Sequence, residues 1–208
     1  WVQWNAPWLF DNSTLFNSVF KTELSTPSYL LLNVTVFDIG RMIKVPIKTA
    51  KKSMNAIWGV TKKSKYKRSL FDIPIVAITG SVGKTTTKDM ISNVLMQKYN
   101  VAKTQGNYNN HIGVPITILN WNESTEAAVV EMGMNHFGEI SKLTNIAKPT
   151  VAVITNIGTA HIGNLGSREN ILKAKLEILE GLQGNTVVIN NDNDLLNKWA
   201  KENYDKYN

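Results

Sequence analysis

The feature that most constrains the fold is an apolar run that leads into a glycine-rich turn. Residues 73–79 (IPIVAIT) carry no charge, which is typical of a strand buried on both faces of a sheet. The turn at residues 79–86 (TGSVGKTT) precedes residues 84–98, where apolar residues recur at helical spacing. A strand, a glycine-rich turn and a helix in this order predict a phosphate-binding loop.

Each residue type in this turn suits an anion. Glycines let the backbone fold closely around phosphate oxygens, a lysine can reach the terminal phosphates, and a threonine hydroxyl can bind Mg²⁺. The predicted contacts are Gly80, Ser81, Val82, Gly83, Lys84, Thr85 and Thr86. The common pattern G-x-x-x-x-G-K-[ST] requires glycine where this chain has Ile78, so the turn fits the shorter form T-G-x-x-G-K-T-T. The alternative to a phosphate-binding loop is an ordinary turn that happens to contain a lysine. The flanking strand and helix disfavour it.

Strand and helix patterns alternate through the rest of the chain. Strands are predicted at residues 101–104, 127–131, 151–155 and 186–189, and helices at residues 168–182 and 195–202. Ser167 is predicted to cap the first of these helices, and Gly184 to help stop it. The alternation predicts an α/β fold, a mostly parallel sheet with helices on both faces.

The first part of the chain lacks this alternation. Residues 29–37 could form a short strand and residues 47–66 a basic helix, so we expect a short, irregular α+β segment there. We therefore divide the chain into residues 1–68, an atypical N-terminal segment with a basic helix or linker, and residues 69–208, the α/β domain.

The positive charge of the chain is local. Ten of the 23 Lys and Arg residues lie in residues 41–68, which contain no acid, although the formal net charge of the chain is +7. The charge therefore does not support nucleic-acid binding by the whole chain. A basic helix near tryptophans could contact an anionic membrane surface, but we favour a solvated linker helix.

Composition also bears on the compartment. The chain has no cysteine, which excludes disulfides and thiolate metal sites. No segment approaches the roughly 20 apolar residues of a membrane-spanning helix, and the first residues lack the pattern of a secretory signal. We therefore expect a cytoplasmic location.

Four segments together resemble the Mur ligase family. They are residues 71–91 (FDIPIVAITGSVGKTTTKDMI), 103–119 (KTQGNYNNHIGVPITIL), 129–143 (VVEMGMNHFGEISKL) and 149–179 (PTVAVITNIGTAHIGNLGSRENILKAKLEIL). The combination is far more specific than any one segment. Residues 73–182 resemble the central ATPase domain, and the last two segments favour the ligases that add D-alanyl-D-alanine to UDP-N-acetylmuramoyl-tripeptide.

The resemblance implies an ATP-dependent amide ligase of peptidoglycan precursor synthesis. Its cofactors would be ATP and two Mg²⁺ ions, its substrates UDP-N-acetylmuramoyl-tripeptide and D-alanyl-D-alanine, its intermediate an acyl phosphate, and its state a monomer. Another Mur-type ligase, a folylpolyglutamate synthase-like enzyme and a non-catalytic nucleotide-binding remnant stay open as alternatives. A regulatory P-loop NTPase is disfavoured by the metal-binding set described next.

The resemblance also implies a metal site. Glu131 ends a predicted strand, at the edge where parallel sheets bind ligands, and a carboxylate oxygen there suits Mg²⁺. The predicted metal ligands are Thr85, Glu131, His161 and Lys175, and the predicted catalytic residues are Lys84, His161 and Lys175. Lys175 is expected to react with CO₂ to form a carbamate, with Lys173 as the alternative. That reaction requires a neutral amine and hence a lowered pKa.

Two loops are implied to bind substrate and nucleotide. The predicted substrate contacts are Asn107, Asn109, Asn110 and His111, although asparagines and glycines also favour plain turns. Asn190 is the predicted adenine contact, in a motif whose second aspartate is replaced by Asn193. Thr155, Asn156 and Ser167 belong to the same loop region.

The chain starts at Trp1 rather than at methionine, and it stops before the C-terminal domain of the family. Residues 69–208 would then be a central ATP-binding domain truncated at its C-terminus. We therefore expect a fragment or processed product with little ligase activity of its own.

Overall fold

The structure is a computed structural model that describes residues 47–207, with side chains from residue 57 onward. The strand predicted at residues 29–37 lies outside the described residues. Gly59–Asn208 form one compact unit, and the described part of the other unit, residues 47–58, is helical. The predicted boundary at residue 68 stays a prediction.

The described part of the chain alternates between helices and strands. The helices are α1 Ile47–Ser69, α2 Lys84–Leu95, α3 Gly113–Leu119, α4 Glu139–Ala147, α5 Ile162–Leu165, α6 Arg168–Leu176 and α7 Asp194–Asn203, with a 3₁₀ helix at Glu177–Gly181. The strands are β1 Ile75–Thr79, β2 Val101–Lys103, β3 Ala127–Glu131, β4 Val151–Ile154 and β5 Thr186–Ile189. No helix within residues 47–207 has the length and apolar character needed to cross a membrane.

The five strands form one parallel sheet in the order β2-β3-β1-β4-β5. The register pairs Ile78 with Glu131 and Thr79 with Ile154, so the carboxyl ends of β1, β3 and β4 lie at one level. The loops that follow these three strands therefore meet at a single edge, which confirms the predicted α/β fold.

Helices cover both faces of the sheet because β1 alternates its apolar side chains between them. Ile75 and Ala77 pack in the larger core, with residues of α3, α4 and α6. Ile78 packs on the other face, with Ile91 and Leu95 of α2. A strand buried on both faces explains the uncharged run that the sequence shows.

Most predicted elements are present, with shifted ends. The helix predicted at residues 168–182 is α-helical only to Leu176 and then tightens into the 3₁₀ helix. Ser167 caps it as predicted, since its side chain accepts a hydrogen bond from Asn170 N. Helices α3 and α4 were not predicted from the sequence. Pro115 lies in the first turn of α3, where its missing N–H breaks no helical hydrogen bond.

Candidate active site

The phosphate loop follows β1 at the carboxyl edge of the sheet. Gly80 has φ 153° and Gly83 has φ 80°, conformations that disfavour any other residue. A Cβ at Gly80 would also overlap the Thr155 hydroxyl. Thr87 N makes the first helical bond, to Gly83 O, so the N–H groups of Lys84, Thr85 and Thr86 have no partner within the helix and can bind an anion.

The loop after β4 is hydrogen-bonded to the phosphate loop. Asn156 Oδ1 accepts hydrogen bonds from Ser81 N (3.1 Å) and Val82 N (2.9 Å). Thr155 Oγ1 donates to Val82 O (2.6 Å), and Gly158 N donates to Ser81 Oγ (2.9 Å). The two loops thus form one structure, and Asn156 shapes the turn rather than only lining it.

Lys84 folds back over the turn. Its Nζ donates to Gly80 O (2.8 Å) and, at 3.5 Å, to Ser81 O. Burial lowers the pKa of Lys84, and the nearby Glu131 charge acts in the opposite direction. Val82, Gly83, Thr85 and Thr86 are exposed around it. The ammonium group is therefore held beside the exposed surface of the phosphate loop.

Glu131 lies at the end of β3 with only 1% of its surface exposed. Thr85 Oγ1 donates to its Oε2 (2.9 Å), and Asn109 Nδ2 donates to its Oε1 (2.8 Å). The structure therefore brings a carboxylate and a hydroxyl together directly beside the phosphate loop.

Lys175 is one of the largest fully buried side chains among the described residues, with 2% of its surface exposed. Burial, and secondarily the charge of Lys84, lowers its pKa to about 7. Lys173, by contrast, is exposed on the same helix. A buried lysine of this kind spends much of its time as a neutral, nucleophilic amine at physiological pH.

His161 has an unusual backbone. Its φ of 68° places it in the left-handed region, directly before α5, where a residue other than glycine is uncommon. Burial, followed by the charges of Lys175 and Lys84, lowers its pKa. The neutral imidazole that results is the form that binds a metal. His161, Lys175 and Lys84 lie within electrostatic reach of one another, and an anion bound among them would favour the protonated form of each.

The donors at this edge fit Mg²⁺ better than a metal that needs nitrogen or sulfur. Among the described side chains, no group of three or more His, Asp and Glu could hold a metal ion. Thr85 and Glu131 supply hard oxygen atoms, and Mg²⁺ is usually held by one or two carboxylates together with substrate phosphates. A Mg²⁺ ion carried by a nucleotide is therefore compatible with this pair.

The polar loop at residues 107–111 is only partly open to a substrate. Asn107 is exposed, whereas Asn109 contacts Glu131. Asn110 Oδ1 accepts from Ile112 N (3.0 Å) and Gly113 N (2.9 Å), directly before and at the start of α3. Burial is the main cause that lowers the pKa of His111.

At the far end of the sheet, Asn190 follows β5 and is exposed. Its Oδ1 accepts from Asp192 N (3.0 Å). Asn193 caps α7 by accepting from Leu196 N (3.2 Å), and its Nδ2 donates to Ile157 O (3.0 Å). An aspartate could provide the cap but not the second bond, which explains why asparagine fits where the motif has aspartate.

Two residues near the site were not singled out from the sequence. Thr104 is buried, and its Oγ1 accepts from Glu131 N (3.0 Å). Lys88 is 2% exposed, and its Nζ donates to Gly106 O (3.3 Å). A lysine one helical turn after the phosphate loop is only weak evidence in a sequence for a buried, structural role, because lysines on helices are usually solvated.

Comparison with known proteins agrees with this geometry. The Mur ligase middle domain matches residues 78–208. The chain belongs to the Mur ligase family. This confirms the family resemblance, and the five-stranded parallel sheet is the middle domain of that family.

Several relatives and solved structures of the Mur ligase family are similar to this chain. The UDP-N-acetylmuramoyl-tripeptide–D-alanyl-D-alanine ligase of Bacillus subtilis (strain 168) is 57% identical over 115 residues, covering 55% of this chain and 25% of that protein. The ligase of the same name from Buchnera aphidicola subsp. Baizongia pistaciae is 38% identical over 148 residues, covering 71% and 32%. The MurF ligase of Thermotoga maritima in complex with ADP has a TM-score of 0.66 and 38% identity, covering 71% of this chain and 35% of that one.

A further structure, MurF from Acinetobacter baumannii, has a TM-score of 0.69 and 34% identity, and covers 73% of this chain and 34% of that one. The chain therefore spans about a quarter to a third of the length of these relatives. The shared part is the Mur ligase middle domain with its phosphate loop.

Proposed function

We propose that this chain provides the ATP-binding part of a ligase that joins D-alanyl-D-alanine to UDP-N-acetylmuramoyl-tripeptide in peptidoglycan precursor synthesis. The names of the relatives from Bacillus and Buchnera support this choice within the family. The ADP complex of the Thermotoga neighbour supports ATP as the nucleotide. The cytoplasmic location and the monomeric state stay predictions from the sequence.

The phosphate loop and Glu131 would hold the nucleotide and its metal. The N–H groups of the turn and Lys84 offset the negative charge of the phosphates. Thr85 and Glu131 would bind Mg²⁺, which neutralises charge on the transferred phosphoryl group when it is bound. Their bond to each other (2.9 Å) places both oxygen donors beside the loop before any ligand arrives.

The observation that carries the proposal is the buried Lys175. A charged lysine in this position is unfavourable, since burial and the nearby Lys84 lower its pKa to about 7. Conversion to a carbamate would replace the cation by an anion, which the nearby Lys84 ammonium would then stabilise. We propose this carbamate, together with His161, as the second metal-binding group, because exposed Lys173 lacks the environment that lowers a pKa.

The proposed reaction has two steps. The terminal carboxylate of the tripeptide attacks the γ-phosphoryl group of ATP and forms an acyl phosphate with release of ADP. The amine of D-alanyl-D-alanine then attacks the acyl carbon, and phosphate leaves as the amide forms. In both steps this chain would contribute charge stabilisation and positioning, through Lys84, the phosphate loop and Glu131.

The carbamate can be tested on the chain directly. Native mass spectrometry in bicarbonate at neutral pH should show a mass increase of one CO₂ that disappears on acidification. Lys175→Met should abolish the increase, and Lys173→Met, the matched control on the same helix, should keep it. An adduct that survives in Lys175→Met would assign the carbamate to another residue.

The reaction itself can be tested in a chimera. Residues 78–208 would replace the corresponding segment of the Bacillus subtilis relative, with ADP binding as the check that the chimera folds. We expect phosphate release that requires both UDP-N-acetylmuramoyl-tripeptide and D-alanyl-D-alanine and that Lys84→Met abolishes. Hydrolysis of ATP without either substrate would instead indicate a regulatory NTPase, and nucleotide binding without turnover a non-catalytic remnant.

A further inference from the structure

Asn109 makes a contact that substrate recognition does not explain. Its Nδ2 donates to Glu131 Oε1 (2.8 Å), while Thr85 Oγ1 donates to Oε2 (2.9 Å). Within the described residues these are the two side-chain donors to that carboxylate. Since Glu131 is 1% exposed, each oxygen needs a partner inside the protein. Asn109 therefore fixes one half of the carboxylate.

The backbone holds Asn109 in this position. Its N–H donates to Asn107 O (2.7 Å), and its carbonyl accepts from Gly133 N (2.8 Å). A Cβ at Gly133 would lie 2.8 Å from Asn109 Oδ1, so only glycine lets the asparagine side chain lie against the segment after β3. The Asn109 amide is packed into place without any substrate.

The start of the same loop is fixed at two further points. Thr104 Oγ1 accepts from Glu131 N (3.0 Å), and Lys88 Nζ donates to Gly106 O (3.3 Å). Lys88 is buried on α2, one turn after Lys84. The loop is thus attached both to β3, the strand that ends at Glu131, and to α2, the helix that follows the phosphate loop.

We propose that Asn109 is a positioning residue that sets the orientation of the Glu131 carboxylate for magnesium. By occupying Oε1, it keeps Oε2 turned toward Thr85 and the phosphate loop. The inference rests on the proposed role of Glu131 as a Mg²⁺ ligand. It gives the loop at residues 104–111 a second task beside the substrate contact predicted from the sequence, and it links the two sites through one side chain.

The first test measures the affinity of the 208-residue chain for ADP by calorimetry, with and without Mg²⁺. Asn109→Ala should weaken the response to Mg²⁺ by about tenfold, the lower end of the range for partners of metal ligands. It should leave the affinity for metal-free ADP unchanged. Gln105→Ala removes an exposed amide in the same loop and should change neither value.

The second test moves Asn109 without replacing it. Gly133→Ala keeps both Asn109 and Glu131 but places a methyl group against the amide, so it should reduce the Mg²⁺ response in the same way. Gly59→Ala is the matched control, because nothing lies within 4 Å of a Cβ there. The Mg²⁺ response of Gly59→Ala should equal that of the unchanged chain.

A third measurement separates this inference from the proposed function. Unfolding midpoints of Asn109→Ala, Glu131→Gln and the double variant should not add, because the two side chains contact each other. If ADP binding by the unchanged chain ignores Mg²⁺, the proposed metal site fails and the inference fails with it. If Mg²⁺ acts normally in Asn109→Ala and Gly133→Ala, or if the midpoints add, the inference alone is overturned.

Discussion

At the scale of single residues, Lys175 gives the chain a distinctive dependence of stability on pH. Its pKa in the folded chain is about 7, against roughly 10.4 for an unperturbed lysine. Between these values the unfolded chain holds a proton that the folded chain has released. Stability therefore rises with pH through this window, and below pH 7 the full penalty of a buried charge applies.

We expect the free energy of unfolding to rise by about 2–3 kcal/mol between pH 7 and 9.5, at roughly 1.4 kcal/mol for each unit of pKa shift. Lys175→Met should remove this rise and be more stable than the unchanged chain at pH 6. Urea unfolding in CO₂-free buffer measures both effects. Lys173→Met is the control and should keep the rise; a rise that persists in Lys175→Met would contradict the assignment.

The sequence predicted which residue types meet at the site better than it predicted what each one does. Glu131 and Lys84 could be placed because a strand end and a glycine-rich turn are local patterns. Local patterns do not show which side chains are used inside the protein. Asn109 and Asn156 both stabilise neighbouring groups, and only the register of β1, β3 and β4 brings those groups within reach.

At the scale of structural elements, the phosphate loop depends on the loop after β4. We expect Asn156→Ala to lower the free energy of unfolding by about 1–2 kcal/mol, because the Val82 N–H loses its acceptor and the Ser81 N–H keeps only the backbone carbonyl of residue 156. ADP affinity should fall as well, since the turn is less ordered. Unfolding and calorimetry on the same samples measure the two effects.

Asn156→Asp separates shape from charge. Aspartate can accept both N–H groups, so its stability should stay near that of the unchanged chain, while its negative charge beside the phosphates should still weaken ADP binding. Asn93→Ala, on the exposed side of α2, is the control for both measurements. Normal stability in Asn156→Ala would show that these hydrogen bonds do not shape the turn.

The opposite edge of the sheet is stabilised by Arg68 at the end of α1. Its Nε donates to Ala147 O (2.6 Å) and its Nη2 to Lys148 O (3.0 Å), the last carbonyls of α4. A cation at a helix C-terminus is favourable. Arg68→Ala should lower the free energy of unfolding by about 2 kcal/mol, measured in urea, with ADP affinity unchanged. Lys65→Ala, exposed on the same helix, should have little effect, and an equal loss there would contradict the cap.

Helices α3 and α4 show why some elements escaped prediction. Helix α3 is short and starts with Gly113 and Pro115 in its first turn, residues that usually indicate a loop. Helix α4 lies between Gly138 and the left-handed Lys148. Both helices are stabilised chiefly by packing on the sheet, which local sequence patterns do not record.

At the scale of the whole molecule, the basic residues and the candidate site belong to different parts of the sequence. The basic residues at 41–68 belong mainly to α1 and the segment before it. The proposed nucleotide site is built from the carboxyl ends of three adjacent strands and from residues distant in sequence, Lys84, Glu131 and Lys175. A ligand at that edge therefore contacts segments that must all be folded at once.

This arrangement predicts that a nucleotide stabilises the compact unit Gly59–Asn208 as a whole. A ligand that binds only the folded chain adds about 2.7 kcal/mol at a concentration of 100 times its Kd. ADP with Mg²⁺ should therefore raise the thermal midpoint in a single transition, and the shift should grow with the logarithm of ADP concentration. Lys84→Met should abolish the shift, whereas Lys98→Met, an exposed lysine beyond the end of α2, should keep it. A shift confined to one of two separate transitions would show that the strands around the site do not fold as one unit. In that case the parallel sheet would not couple the phosphate loop to Glu131.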